Sequence, residues 1–162
     1  MAVTYEPIAT TTLSSATNSV TFNSIAASWT DIRAVIVSSN VAGSNTIRMR
    51  FNSDTGTNYS NTLLEGDGSV AYSGGSSNGT LIPAGEDHTT PSLVTVDIFS
   101  YAGSTYKTCL CTQSMDRNGV GTVNRRVALW RSTSAITSIT FSHSSDNWNV
   151  GSTFTLYGIK AA

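Results

Sequence analysis

Short stretches of alternating apolar and polar residues recur along the chain, and this period of two predicts β-strands. Successive side chains of a strand point to opposite faces, so each alternating stretch is expected to be half-buried. The alternation is clearest at residues 20–22, 46–51 and 105–112. More continuous β-branched or aromatic runs, which favour strands covered on both faces at the centre of a sandwich, occupy residues 32–37, 93–99 and 127–130.

The remaining pattern completes an all-β prediction. Two more strands are expected at residues 135–141 and 153–159, and an irregular edge strand at residues 4–13, interrupted by Pro7. A single helical turn is considered only for residues 59–64. Gly, Asn and Asp punctuate the chain at residues 42–45, 54–56, 117–119 and 144–147. About nine short strands with such turns predict a single-domain antiparallel β-sandwich, jelly-roll-like, over residues 1–162.

One segment breaks this rhythm. Residues 65–91 are rich in Gly, Ser and Asn, and few of them are apolar. We expect a long loop there, and a loop of that length in a compact domain is usually a binding segment or disordered. Its apolar side chains Tyr72, Leu81 and Ile82 are therefore candidate contacts with a partner.

The tryptophans divide into two kinds. Trp130 lies inside a predicted strand and is expected in the core or at its margin. Trp148 stands among Asp146, Asn147 and Asn149, where a ring with neighbouring amides is typical of a carbohydrate or protein contact. Packing at the edge of the core is the favoured interpretation of Trp148, and a partner contact is the alternative.

The charge balance narrows the classes of partner. Charged residues make up 12% of the chain, and nine basic against ten acidic groups leave a net charge of -1. Such a chain has no strong field to attract nucleic acid or an anionic membrane, so neither partner is expected. Hydroxyl-rich surfaces cost little to desolvate when they find partners, which favours a homo-oligomer. No basic region followed by an apolar run opens the chain, so we expect cytoplasmic synthesis without a signal peptide.

Cysteine and histidine spacing gives no metal motif. Cys109 and Cys111 lie two apart in a predicted strand, where an extended backbone disfavours a disulfide between them. We interpret them as reduced packing residues. His88 and His143 are far apart in sequence and take part in no paired-ligand spacing. No metal and no cofactor are expected from these residues.

Two weaker chemical patterns occur in the sequence. Residues 86–88 (EDH) contain groups found in catalytic triads, but neighbours in a loop do not converge on one atom, and no nucleophile elbow accompanies them. Residues 52–56 place oxygen ligands at alternate positions, as calcium loops do, but lack the downstream glutamate. A tight turn in which Asp54 caps its own backbone and Gly56 takes a positive φ is the simpler interpretation. The sequence therefore predicts a protein without enzymatic activity and with no catalytic residues.

Four blocks, in their order along the chain, resemble a family of small tailed-bacteriophage virion proteins. These are residues 29–33 (WTDIR), 48–60 (RMRFNSDTGTNYS), 130–136 (WRSTSAI) and 151–159 (GSTFTLYGI). The resemblance implies a jelly-roll subunit, commonly a trimer, located on the virion. It places the protein on the capsid as a decoration or cement protein, or on a tail fibre.

We favour capsid decoration, because the whole chain is used for one sandwich. The partners are then further copies of the chain, the major capsid protein or other virion subunits. A tail-fibre or receptor-binding module that recognises host glycans is the alternative. A polysaccharide hydrolase would need a carboxylate pair, which the spacing of the acidic residues does not indicate.

Overall fold

Twelve β-strands and no helix make up residues 5–160, the part of the chain that the computed structural model describes. The strands are β1 (Tyr5–Thr12), β2 (Ser19–Phe22), β3 (Asp31–Ser38), β4 (Asn45–Phe51), β5 (Tyr59–Gly66), β6 (Ala71–Gly79), β7 (Ile82–Asp87), β8 (Ser92–Ile98), β9 (Lys107–Asp116), β10 (Gly121–Trp130), β11 (Ile139–His143) and β12 (Thr153–Ile159). The all-β prediction is confirmed, although the strand count of about nine was too low. The described residues contain no helix long and apolar enough to cross a membrane.

The strands form two antiparallel sheets packed as a sandwich. The larger sheet has the order β1-β12-β3-β8-β9-β10-β5-β6, and the smaller has the order β2-β11-β4-β7. Strands pair in a nested way: β1 with β12, β2 with β11, β3 with β8, and β4 with β7. This arrangement is that of a long hairpin wrapped into two sheets, which is the jelly-roll topology.

Two inserted hairpins make the sheets unequal. The β5–β6 hairpin follows β4, and the β9–β10 hairpin follows β8; both join the larger sheet beyond β8. Four strands of the small sheet therefore face eight strands of the large one. Only Tyr59 of β5 is buried, and no residue of β6 is. The β5–β6 hairpin thus extends past β7, the edge strand of the small sheet.

The prediction of a long loop at residues 65–91 was wrong, since this segment contains β6 and β7. Strand β6 has few apolar residues because neither of its faces is covered, so the usual alternation is missing. The helical turn considered for residues 59–64 is also wrong, because these residues belong to β5. Backbone pairing with β10 holds β5 in the sheet along its whole length.

The core lies between the sheets and is lined by alternate residues of facing strands. Ile32, Ala34 and Ile36 of β3 are buried, as are their counterparts on β4. Trp130 packs against Phe51 with ring centroids 5.5 Å apart, which confirms its predicted place in the core. The continuous runs in β3, β8 and β10, however, are buried on one face only, and their expected two-sided burial was wrong.

Local turn chemistry follows the sequence in most places. Asn118 and Gly119 have φ angles of 61° and 87°, the left-handed pair that a tight hairpin between β9 and β10 requires. Asp54 caps its own turn, since its Oδ1 accepts a 2.8 Å hydrogen bond from the Gly56 amide. The positive φ angles of that turn are at Asn52 and Ser53, not at Gly56 as predicted.

The first strand is an edge strand, as expected. β1 pairs only with β12, and its register shifts between Pro7 and Ala9. Proline removes a backbone donor, so it is tolerated at such an edge. Thr4, where the predicted strand begins, lies outside the described residues.

Cys109 and Cys111 are buried free thiols on the inner face of β9. Burial raises the pKa of Cys111 to about 12 and that of Cys109 well above its usual value. The thiolate is the reactive form, so both side chains are unreactive while the sheet is intact.

We expect neither thiol to be alkylated by iodoacetamide at pH 8 in the native protein, and both to be alkylated in denaturing urea. Mass spectrometry of the two samples measures this directly. Rapid modification of the native protein would show that β9 opens locally and would contradict the buried arrangement.

Candidate functional site

The four predicted contact residues do not form one surface. Tyr72 is 58% exposed on β6, and Leu81 is half-buried between β6 and β7. Ile82 and Trp148 are completely buried. Partner contact by Ile82 and Trp148 is therefore wrong, and Tyr72 and Leu81 stay candidates.

Trp148 is a core residue with a polar anchor. Its ring lies between His143 and Phe154, with centroid distances of 4.2 and 4.6 Å. Its Nε1 donates a 2.9 Å hydrogen bond to Asp87 Oδ2. The polar neighbours that favoured a surface role instead hold the turn: Asn149 Nδ2, for example, donates to the Ser39 hydroxyl at 2.9 Å.

Asp87 is the centre of a buried polar cluster, the Asp87 network, at one end of the sandwich. Its carboxylate accepts hydrogen bonds from Ser38 Oγ at 2.8 Å, Asn40 Nδ2 at 2.8 Å and Trp148 Nε1 at 2.9 Å. His143 Nε2 lies 3.0 Å from Asp87 Oδ1, with both side chains fully buried. A buried carboxylate is costly unless it is paired in this way.

The Asp87 network contains Ser, His and Asp but is not connected as a catalytic triad. In a triad the histidine lies between the hydroxyl and the carboxylate. Here the Ser38 hydroxyl donates to Asp87 itself, and the two nitrogens of His143 face Asp87 and the Asp146 carbonyl. Neither nitrogen is directed at the Ser38 hydroxyl, so this arrangement joins strands and does not activate a nucleophile.

Residues 86–88 also fail to converge. Asp87 points into the sandwich, whereas Glu86 lies on the other side of β7. His88 follows the strand, and its Nε2 is 3.0 Å from Arg117 Nη1. The alternation of side chains along β7 directs Glu86 and Asp87 to opposite faces of the strand.

The Asp54 carboxylate is occupied by N–H donors. Besides the Gly56 amide, Asn58 Nδ2 donates to it at 2.9 Å and Trp130 Nε1 at 2.7 Å. The Trp130 hydrogen bond is the largest cause of a lowered Asp54 pKa. Within residues 5–160, no group of three His, Cys, Asp or Glu side chains is placed to hold a metal ion. Asp54 therefore ties the turn to the core.

The outer face of the large sheet carries exposed aliphatic side chains. Val37, Leu93, Ser114 and Val123 are cross-strand neighbours in one row over β3, β8, β9 and β10. The apolar members are 42–63% exposed and line a shallow depression of about 340 Å³.

A second row on this face is less apolar. This row begins with the ion pair between Arg33 on β3 and Asp97 on β8. It continues with Leu110 on β9 and Val127 on β10. Arg125 is a further charge on the same face of β10. The face as a whole is aliphatic and hydroxylated, and we call it the outer face.

Sequence reasoning missed both the outer face and the Asp87 network. The continuous runs that contain Val37 and Leu93 correctly predict apolar side chains on both faces of their strands. The error lies in expecting both faces to be buried, because one of them is exposed. Asp87 follows a short apolar segment in a region predicted to be a loop, so no pattern marked it as buried.

Comparison with protein-family models, with curated proteins and with solved structures finds no match.

Replacing Asp87 by Asn should lower the free energy of unfolding by about 3 kcal/mol, because the amide places its own N–H groups opposite buried donors, which lose their acceptor. Urea denaturation followed by tryptophan fluorescence measures the change. Asp116→Asn is the matched control: Asp116 is exposed, and its amide oxygen would still accept the Gly119 N–H bond. A loss below about 1 kcal/mol for Asp87→Asn would show that the Asp87 network does not organise the fold.

Proposed function

We propose that this protein is a non-enzymatic structural subunit of a tailed-bacteriophage particle, a capsid decoration or cement protein that stabilises the assembled capsid by protein–protein contacts. It is made in the host cytoplasm and resides in the virion. The observation that carries the proposal is the outer face, with its exposed Val37, Leu93 and Val123. The family resemblance of the sequence blocks supplies the virion context.

An aliphatic face of this kind is typical of an interface. Contiguous apolar surface on a free subunit usually marks an interaction site. The threonines among the aliphatic side chains cost little to desolvate, and the one ion pair on the face, Arg33 with Asp97, is already internally neutralised. We assign the outer face to contact between copies of this chain, in a homo-oligomer for which a trimer is the expected state.

Strand β6 offers a second contact, which replaces the predicted loop. It is the free edge of the large sheet, and its sequence AYSGGSSNG contains no charge and no proline. Proteins usually place charged residues or proline on an open sheet edge, because the unpaired backbone groups of the edge otherwise bind other chains. The opposite edge, β1, does carry Pro7 and a register shift. We assign the β6 edge to the major capsid protein or another virion subunit.

Burial of Trp148 weakens the tail-fibre alternative in its original form. That alternative used Trp148 and a long flexible loop against host glycans, and neither feature is present on the surface. A glycan role would have to use another part of the molecule.

The wild-type protein should be a homo-oligomer at tens of micromolar, with a trimer showing three times the 17.1 kDa subunit mass. Val123→Lys should dissociate it, because a charge would be buried against an aliphatic partner. Light scattering coupled to size-exclusion chromatography measures both. Val41→Lys, at a similarly exposed valine in the β3–β4 connection, should leave the oligomer intact. A wild-type monomer would remove the assignment of the outer face.

Phage heads carrying the subunit should release DNA at a higher temperature than heads without it. Binding to the assembled state alone contributes RT ln(1 + [L]/Kd), which is about 2.7 kcal/mol per site at a hundred times Kd. The Ser73→Lys, Ser77→Lys double variant places charges along β6 and should fail to decorate or protect the heads, while Val41→Lys protects them normally. Equal release temperatures with and without the wild-type subunit would reject the cement role.

A further inference from the structure

A polar groove lies where the large sheet extends past the small one. Its walls come from β4, β7, the segment that joins β6 to β7, and the inner face of β10. Its volume is about 510 Å³. We call it the arginine groove, because Arg48, Arg50 and Arg126 line it together with Glu86. Its size is within the range of small-ligand sites. The groove and the outer face are on different sides of the large sheet.

The guanidinium groups of this groove have unused donors. Within residues 5–160, the Arg48 side chain has no hydrogen-bond or ion-pair partner. Arg50 uses its Nε for the Thr80 carbonyl at 3.0 Å. Arg126 donates from Nη1 to Asn61 Oδ1 at 2.6 Å, but its buried Nε has no partner. Among the described residues, the Arg48 guanidinium and the terminal nitrogens of Arg50 therefore remain as donors for a ligand.

Glu86 adds an acceptor to these donors. It forms no ion pair within 4 Å among the described residues, although three arginines share its groove. Burial, followed by repulsion from Glu65, raises its pKa, while Arg126 opposes the shift. The groove thus contains several cationic donors, the hydroxyls of Thr46 and Thr80, and one anionic acceptor.

This combination selects among ligand classes. A simple inorganic anion gains from the arginines but is repelled by Glu86. A ligand that carries both an anionic group and hydroxyl donors pairs with the arginines and with Glu86. Arginine binds oxyanions in bidentate form, and a carboxylate accepts strong hydrogen bonds from hydroxyls. Acidic sugars have this chemistry, and Leu81 and Pro83 offer apolar contact for the C–H face of a ring.

A peptide added to the edge of β7 fits less well. Strand addition requires a regular row of backbone donors and acceptors. Pro83 lacks an N–H, and the register of β7 against β4 shifts between Ile47 and Arg48. Both features are known protections of a sheet edge.

We propose that the arginine groove binds an acidic saccharide, whose anionic substituent is held by Arg48 and Arg50 and whose hydroxyls are held by Glu86 and the groove threonines. This proposal does not depend on the assembly role, and a failure of the outer-face assignment would leave it unchanged.

The test is calorimetric titration of the full chain with a galacturonic acid tetrasaccharide. Three further probes are the neutral galactose tetrasaccharide, inorganic phosphate and tetraglutamate. We expect the acidic tetrasaccharide to bind, with an affinity that falls as salt rises. Arg48→Ser should weaken binding about tenfold, the usual effect of losing a charged hydrogen bond. Because the Arg48 side chain has no partner within residues 5–160, this variant is expected to fold normally.

Two variants distinguish this site from a general basic surface. Lys160→Ser removes an exposed positive charge that lies outside the groove and should leave the affinity unchanged. Glu86→Ala should weaken saccharide binding but strengthen phosphate binding, because it removes both an acceptor and a repulsive charge. Equal affinity for the neutral tetrasaccharide or for tetraglutamate, binding of phosphate alone, no binding by any probe, or unchanged affinity in Arg48→Ser would each overturn the proposal.

Discussion

A mismatch in width between the two sheets controls the rest of this structure. Four strands cover one part of an eight-stranded sheet, and the inserted hairpins β5–β6 and β9–β10 supply the excess. Buried area is the main source of stability, so the covered part holds the core. Gly85 shows how closely the sheets approach at the boundary: a Cβ there would lie 2.8 Å from Val94 Cγ2. Beyond β7 no sheet formed by residues 5–160 covers the large sheet, and its surfaces are free for other uses.

The Asp87 network closes one end of the covered part. It joins β3, β7, β11 and the turn before β12 through one carboxylate. Hydrogen bonds to a buried charge are directional, so they specify how these segments meet more strictly than apolar packing does. Trp148 contributes both to this network and to the aromatic packing with Phe154.

The outer face and the arginine groove differ in chemistry because they differ in geometry. The outer face is a broad row of β-branched and hydroxylated side chains without a deep cavity, which suits another protein surface. The groove is a corner between two sheets, where long polar side chains from β4 and β10 converge. The two proposals therefore use separate surfaces, one for assembly and one for a small polar ligand.

Alternation in the sequence determined the fold class, most strand positions, the core role of Trp130 and the buried state of the two cysteines. These follow from local periodicity, because a strand with one buried face repeats every second residue. β6 and β7 were missed for opposite reasons: β6 is solvated on both faces, and Pro83 and Gly85 interrupt the pattern of β7.

The candidate surfaces were decided by tertiary structure alone. Arg48 and Arg126 are far apart in sequence, and no local pattern indicates that strand order brings them to one groove. Packing at the edge of the core was the favoured interpretation of Trp148, but its complete burial depends on distant residues, among them Asp87 and Phe154. Local sequence specifies which residues alternate, whereas the pairing of distant strands decides which of the resulting faces is covered.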